Sequence, residues 1–276
     1  MSTYGPKALW PEANSPGLRN PRIPASRAQA QSAPSQRPRT GLSLTDLHCD
    51  EDTRSIPCRD GRSFLLRPDR AALIIVDMQR DFCHPGGYGS ENDAEAVVRF
   101  GALIPIIGRV LAASREIGLQ IIATREGHAP DLSDITPAKM QRSIAYGSPY
   151  GAHGPMGRVL IRGEYGHDIV DELKLREGEI MVDKPGYSAF HSTPLEQILR
   201  DRHIEDLIFT GVTTDVCVFS TLREAVDRGF RCLLLGDCTE SFKPGMRDAT
   251  MTMIESEGGI FGWVAESASL LRALAR

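Results

Sequence analysis

A chain of 276 residues with 41% hydrophobic and 25% charged residues has room for one large domain or two small ones and enough apolar material for a full core. A net charge of -4 argues against nucleic acid as the main partner, and six cysteines without a C-x-x-C pair form neither a disulfide framework nor a zinc site. No apolar run approaches the roughly 18 residues a membrane helix needs, and the N-terminus lacks the apolar core of a secretory signal, so no membrane partner and a reducing cytoplasm are expected.

Residues 1–45 are rich in Pro, Ser, Ala, Arg and Gln, as in Pro34-Ser35-Gln36-Arg37-Pro38. Such a segment buries too little surface to offset its ordering entropy, so it reads as a flexible arm, with 46–276 as the folded domain. Residues 71–76 are continuously apolar, as in a strand buried on both faces. A helix is expected over 93–117 and a second strand over 119–123. The stretch from Thr124 to Gly166 is a long Gly-, Pro-, Arg- and His-rich loop, and loops this long are usually functional; an active-site lid is the expectation. A short helix follows at 167–174. Strands at 179–182, 206–210, 231–235 and 260–264 then alternate with helices at 194–202, 214–228 and 244–257, and a last helix closes the chain. This alternation means an α/β fold with three layers: a six-stranded, mostly parallel sheet covered by helices on both faces.

In open parallel sheets ligands bind beyond the carboxyl ends of the strands. Asp77 ends the first strand, Lys184 follows the third and Cys217 follows the fourth. A carboxylate, an amine and a thiol therefore share one rim. Singly each has a bland alternative: a cap, a solvated lysine, a core-filling cysteine. Together they suit nucleophilic catalysis. Gly211-Val212-Thr213-Thr214-Asp215-Val216-Cys217 places the thiol in the first turn of a helix, whose unpaired N–H groups favour an anion. A neighbouring ammonium, Lys184, would lower its pKa further, and Asp77 would accept its proton.

Three segments resemble the signatures of the isochorismatase-like cysteine hydrolases: Ile75-Val76-Asp77-Met78-Gln79-Arg80-Asp81-Phe82, Asp183-Lys184-Pro185, and the run from Gly211 to Cys217. The resemblance spans about 65 to 270. It implies strand order 3-2-1-4-5-6, a catalytic triad of Asp77, Lys184 and Cys217, and a cis peptide before Thr213 that aims the Thr213 and Cys217 N–H groups into an oxyanion hole. It implies a homo-oligomer, often a tetramer, and no cofactor. Within the family, Thr124-Arg125-Glu126-Gly127-His128, Pro130-Asp131-Leu132-Ser133-Asp134, Gly157-Arg158-Val159-Leu160 and Gly258-Gly259-Ile260-Phe261-Gly262 look like biuret and triuret hydrolases. Glu257 and Tyr187 depart from that pattern, and Tyr187-Ser188-Ala189-Phe190 with Phe261-Gly262-Trp263-Val264 resembles ureidoacrylate amidohydrolases. The expected substrate is thus a small linear ureide of biuret or triuret type, with ureidoacrylate or another N-carbamoyl compound as the alternative. Phe82, Arg125, Tyr187 and Glu257 are the expected substrate-binding residues. His128, His153 and His167 lack ligand spacing, so no metal is expected. Vinyl-ether hydrolysis of isochorismate needs no cysteine nucleophile, and a non-catalytic binding module would not need a complete triad.

Overall fold

The structure, a computed structural model, describes residues 52–275; the expected arm at 1–45 lies outside the described residues. Two short strands, β1 (Arg54–Pro57) and β2 (Ser63–Leu66), open it as an antiparallel hairpin. At four residues each they leave little periodicity to find in the sequence. Their inward residues Ile56, Phe64 and Leu66 are fully buried. The chain continues through β3 (Ala71–Val76), the single turn α1 (Arg80–Cys83), the long helix α2 (Ala94–Glu116) and β4 (Gln120–Glu126). Asp93 caps α2, its Oδ1 accepting the Ala96 N–H at 2.9 Å.

The excursion after β4 is not structureless. It holds α3 (Pro137–Ala145), capped by Thr136, and the two-residue strands β5 (His153–Gly154) and β6 (Gly157–Arg158). The expected helix at 167–174 is one 3-10 turn, Asp171–Leu173. Next come β7 (Ile180–Lys184), α4 (Leu195–Asp201) and β8 (Asp206–Val212). A π-type turn, Thr214–Val218, leads into α5 (Phe219–Asp227). The last elements are β9 (Arg231–Glu240), α6 (Met246–Gly259), β10 (Trp263–Ala265) and α7 (Ser267–Leu274).

Six strands form one sheet in the order β10-β9-β8-β3-β4-β7, and every neighbouring pair is parallel. Counted along the chain this is 3-2-1-4-5-6, as expected. β3 lies near the middle with all six residues buried. Its alternate side chains feed two cores: Leu73 and Ile75 join the cluster under α2 and α7, whereas Ala72, Ile74 and Val76 join the one under α4, α5 and α6. The period of two thus builds three layers. α2 is, by length and composition, long and apolar enough to cross a membrane, contrary to the reading of the sequence. Here it lies against the sheet, with Phe100, Leu103, Ile107 and Val110 buried in the first core.

β8 approaches β3 closely at Gly211, where φ is +100° and a Cβ would stand 2.0 Å from the Val76 carbonyl oxygen. No side chain fits there. The following Val212–Thr213 peptide is cis.

Candidate active site

The carboxyl ends of β3, β4, β7 and β8 meet at one rim. Asp77, the first residue past β3, adopts φ 50°, a left-handed conformation that Asp tolerates better than most residues. Its N–H donates to the Thr124 carbonyl at 3.2 Å, and its Oδ1 accepts from the Thr124 hydroxyl at 2.6 Å. Its other oxygen lies 2.9 Å from Lys184 Nζ at the end of β7. Lys184 Nζ also donates to the Gly186 carbonyl at 3.0 Å and to Cys217 Sγ at 3.3 Å. All three side chains are buried. The structure therefore brings together Asp77, Lys184 and Cys217.

A fourth ionisable group, which sequence reasoning passed over, completes the cluster. Glu126, the last residue of β4, accepts the Cys217 thiol hydrogen at 3.1 Å through Oε2 and lies 3.7 Å from Lys184 Nζ. Its Oε1 is 2.6 Å from Lys139 Nζ and accepts the Tyr150 hydroxyl at 2.9 Å. Strand register explains why Glu126 and not Arg125 faces inward. Parallel pairing sets Arg125 beside Asp183 and Glu126 beside Lys184. Alternation sends the first pair to one face and the second to the other. Arg125 accordingly donates to Asp183 at 2.7 and 3.0 Å and to Asp168 at 2.8 Å, away from the thiol. The expectation that Arg125 binds substrate at this centre is corrected on that ground. The sequence alone gave no signal for it, because the face that Glu126 presents is set by the register of β4 against β7.

Burial is the largest influence on each group, and the charges around it decide the outcome. It pushes the Cys217 thiol well above its ordinary value; Lys184 opposes this, and the charges of Glu126 and Asp77 reinforce it. The shift runs opposite to the lowering expected from a helix terminus and an ammonium. Cys217 sits in the π-type turn, not in the first turn of a regular α-helix, and two carboxylates surround it. Burial raises Asp77 as well, against the pull of Lys184. Glu126 goes the other way: despite burial, Lys184 and Lys139 hold it well below the usual carboxylate range. Burial would discharge Lys184, but Asp77, Cys217 and Glu126 hold its ammonium above its ordinary value.

A cavity of about 550 Å³ opens onto this cluster, with Cys217, Glu126 and Thr213 on its wall. Phe82 and Tyr187, two of the expected substrate-binding residues, line it, and so do Tyr88, Tyr146, Tyr150 and Phe242. Tyr88 stacks between Tyr146 and Tyr150, with ring centroids 5.6 and 5.7 Å away. The excursion after β4 thus supplies the roof of the pocket and Lys139. Glu257 is absent from it. α6 begins at the rim with Met246 and leads away from it, and the nine residues of regular helix from there to Glu255 advance about 14 Å. Glu257 is exposed, at φ 50° in the kink that ends α6. It has no place in this cavity.

Among the described residues, one acid and thiol group is close enough to hold a metal: ligand atoms of Asp77, Glu126 and Cys217 lie within 4.8 Å of one another. Lys184 Nζ, 2.9, 3.7 and 3.3 Å from them, already supplies a cation at their centre. A divalent ion there would meet an ammonium, so the set fits a metal poorly. His128 is buried beside Asp134 at 3.1 Å, and His167 is buried 3.9 Å from Asp183.

Comparison with known proteins gives the family and the fold. The model of the isochorismatase domain matches residues 71–269. A ureidoacrylate amidohydrolase RutB of Serratia proteamaculans is 33% identical over 233 residues, covering 82% of this chain and 90% of the relative. The crystal structure of a cysteine hydrolase from Pseudomonas syringae pv. phaseolicola superposes with a TM-score of 0.64 at 27% identity, covering 76% of this chain and 94% of that one. An N-carbamoylsarcosine amidase from Thermoplasma acidophilum shares the fold, with a TM-score of 0.55 at 22% identity over 72% of this chain and 96% of that one.

Proposed function

The chain belongs to the isochorismatase family and is an amidohydrolase of the cysteine-hydrolase type, and from that premise we propose that it cleaves the carbamoyl C–N bond of a small N-carbamoyl compound of the ureidoacrylate type. The observation that carries the reading is a thiol on a cavity wall, held between Lys184 Nζ at 3.3 Å and a Glu126 carboxylate oxygen at 3.1 Å. The choice of substrate follows the relatives, which favour the alternative weighed from the sequence over biuret or triuret.

In this mechanism Asp77 takes the Cys217 proton, and Lys184 stabilises the thiolate as it forms. Its raised affinity for protons suits Asp77 to that shuttle. The sulfur attacks the carbamoyl carbon, and the Thr213 and Cys217 N–H groups take the oxyanion. Asp77 returns the proton to the departing nitrogen, which leaves as the amine. An S-acyl enzyme remains. Asp77 then deprotonates a water that attacks it, and the proton goes back to the expelled thiolate. Two moderate barriers replace one high one. Phe82 and Tyr187 contribute walls that keep water from the acyl enzyme. The reading extends to a cytoplasmic homo-oligomer, a tetramer by resemblance, which light scattering measures.

Ammonia release from a panel of ureidoacrylate, biuret, triuret and N-carbamoyl amino acids, with and without chelator, tests it. Ureidoacrylate should be turned over fastest, with no loss on chelation, because Lys184 fills the position a metal would need. Pyruvate release from isochorismate, with no ammonia from any of the ureides, would overturn it.

A further inference from the structure

Of the two charged groups in contact with the Cys217 sulfur, Lys184 and Glu126, the mechanism above leaves Glu126 idle. Burying a carboxylate is unfavourable unless cations and donors satisfy it. Here Lys139 and the Tyr150 hydroxyl both serve Oε1, leaving Oε2 turned to the sulfur. Lys139 arrives on α3 from the excursion, is itself nearly fully buried, and donates in addition to the Pro185 carbonyl at 2.6 Å, one residue past Lys184. It lies over the rings of Tyr150 and Tyr187, 4.9 and 5.0 Å from their centroids. The excursion and the sheet are therefore joined through a charge pair one bond from the nucleophile's proton.

We propose that Glu126 is a second catalytic carboxylate: it accepts the Cys217 thiol hydrogen in the resting site and so fixes the direction of the sulfur lone pairs when substrate enters, while Asp77 moves the proton. Lys139 is its positioning residue. The division follows from the two environments. Glu126 has a low affinity for protons because two ammoniums flank it, so it orients the proton without taking it. Asp77 has a raised affinity and can take it. The proposal rests on the reading of Cys217 as nucleophile.

Several charged and titratable groups face the sulfur or its neighbours: Asp77 past β3, Glu126 from β4, Lys139 from α3, Tyr150 from the excursion, Lys184 from β7, Tyr187 beyond it and Asp215 on the same turn. Changing Glu126 alone leaves the other six in place. Glu126→Gln removes a negative charge beside the thiol, so thiolate forms more readily. Alkylation of Cys217 by iodoacetamide at neutral pH should therefore accelerate, its pH profile moving down by on the order of one unit. Ureide turnover should nonetheless fall roughly 10- to 100-fold, the worth of a hydrogen bond to a charged group, with kcat affected more than KM. Glu126→Asp keeps the charge for Lys139 but its shorter side chain cannot span both partners, so turnover should fall there with little change in alkylation. If Glu126→Gln fails to fold, Glu126→Asp carries the test alone. Faster alkylation with undiminished turnover would make Glu126 a bystander charge and overturn the proposal. Parallel loss of both, or wild-type turnover in Glu126→Asp, would overturn it too. Wild-type protein inactive on every ureide, or an active Cys217→Ala, is the separate failure of the nucleophile reading.

Discussion

At the scale of single residues, the centre is a balance of two ammoniums against two carboxylates around one thiol. Removing the sulfur leaves that balance intact. Cys217→Ala should therefore keep the fold and abolish ureide hydrolysis, checked by ammonia release beside a thermal melt; residual turnover near the wild-type rate would remove Cys217 from the chemistry. Asp77→Asn leaves the amide in the Thr124 hydrogen bond but takes away the proton acceptor. Its turnover should drop about 10²- to 10⁴-fold, since proton transfer typically contributes that much. Asp77, Lys184 and Cys217 were legible because each follows an apolar run, so strand ends could be located to within a residue or two. Arg125 was misread for want of one bit, the face of the strand. That bit depends on register with β7, which a single sequence does not carry. Once the pairing is known, Glu126 beside Lys184 follows.

At the scale of elements, the alternation of apolar runs with helical stretches made the six strands and their order readable, and the misses cluster where elements are short or kinked. The β1–β2 hairpin is four residues a side. β10 starts at Trp263 because Glu257, Gly258, Gly259 and Gly262 all have positive φ, so 260–262 is a turn and not a strand. The same kink places Glu257 far from the rim, so Glu257→Gln should leave the ratio of biuret to ureidoacrylate turnover unchanged; a severalfold shift, read in parallel ammonia assays, would bring the residue back to the site. The hairpin is tied to the sheet through Arg231 at the start of β9. Its guanidinium donates to Asp206 at 2.7 and 2.6 Å and to the Leu65 carbonyl at 2.8 Å. Asp206 is fully buried, so Arg231→Ala strands much of a buried charge. Arg67 still donates its N–H to Asp206 at 3.1 Å, which softens the loss. A destabilisation of about 3 kcal/mol is expected from denaturant unfolding; a change below about 0.5 kcal/mol would mean that solvent reaches Asp206 freely.

At the scale of the whole molecule, the excursion after β4 is docked on the sheet, and one buried histidine reports on that docking. His167 packs its ring against Gly127 just past β4, and its carbonyl accepts from Gln79 at 2.8 Å. Burial first, then the guanidiniums of Arg125 and Arg162, lower its pKa from 6.5 to about 4, although Asp183 opposes them. On acidification the unfolded chain gains this proton first. Between pH 6.5 and about 4 the unfolded state thus binds more protons, and His167 makes stability fall as pH falls. Asp81, pushed up by burial to about 6, has the opposite sign in nearly the same window, because its carboxyl is protonated earlier in the folded state. The raw melting curve of the wild type therefore understates both effects. A difference measurement isolates the histidine. The stability of His167→Gln minus that of the wild type should be flat from pH 8 to 7, then rise in favour of the variant as pH drops toward 4. The slope should approach about 1.4 kcal/mol per pH unit at most. Asp81 is common to both proteins and cancels. A difference that stays constant across the window would mean that His167 titrates normally, and hence that the excursion opens enough to let water reach the ring.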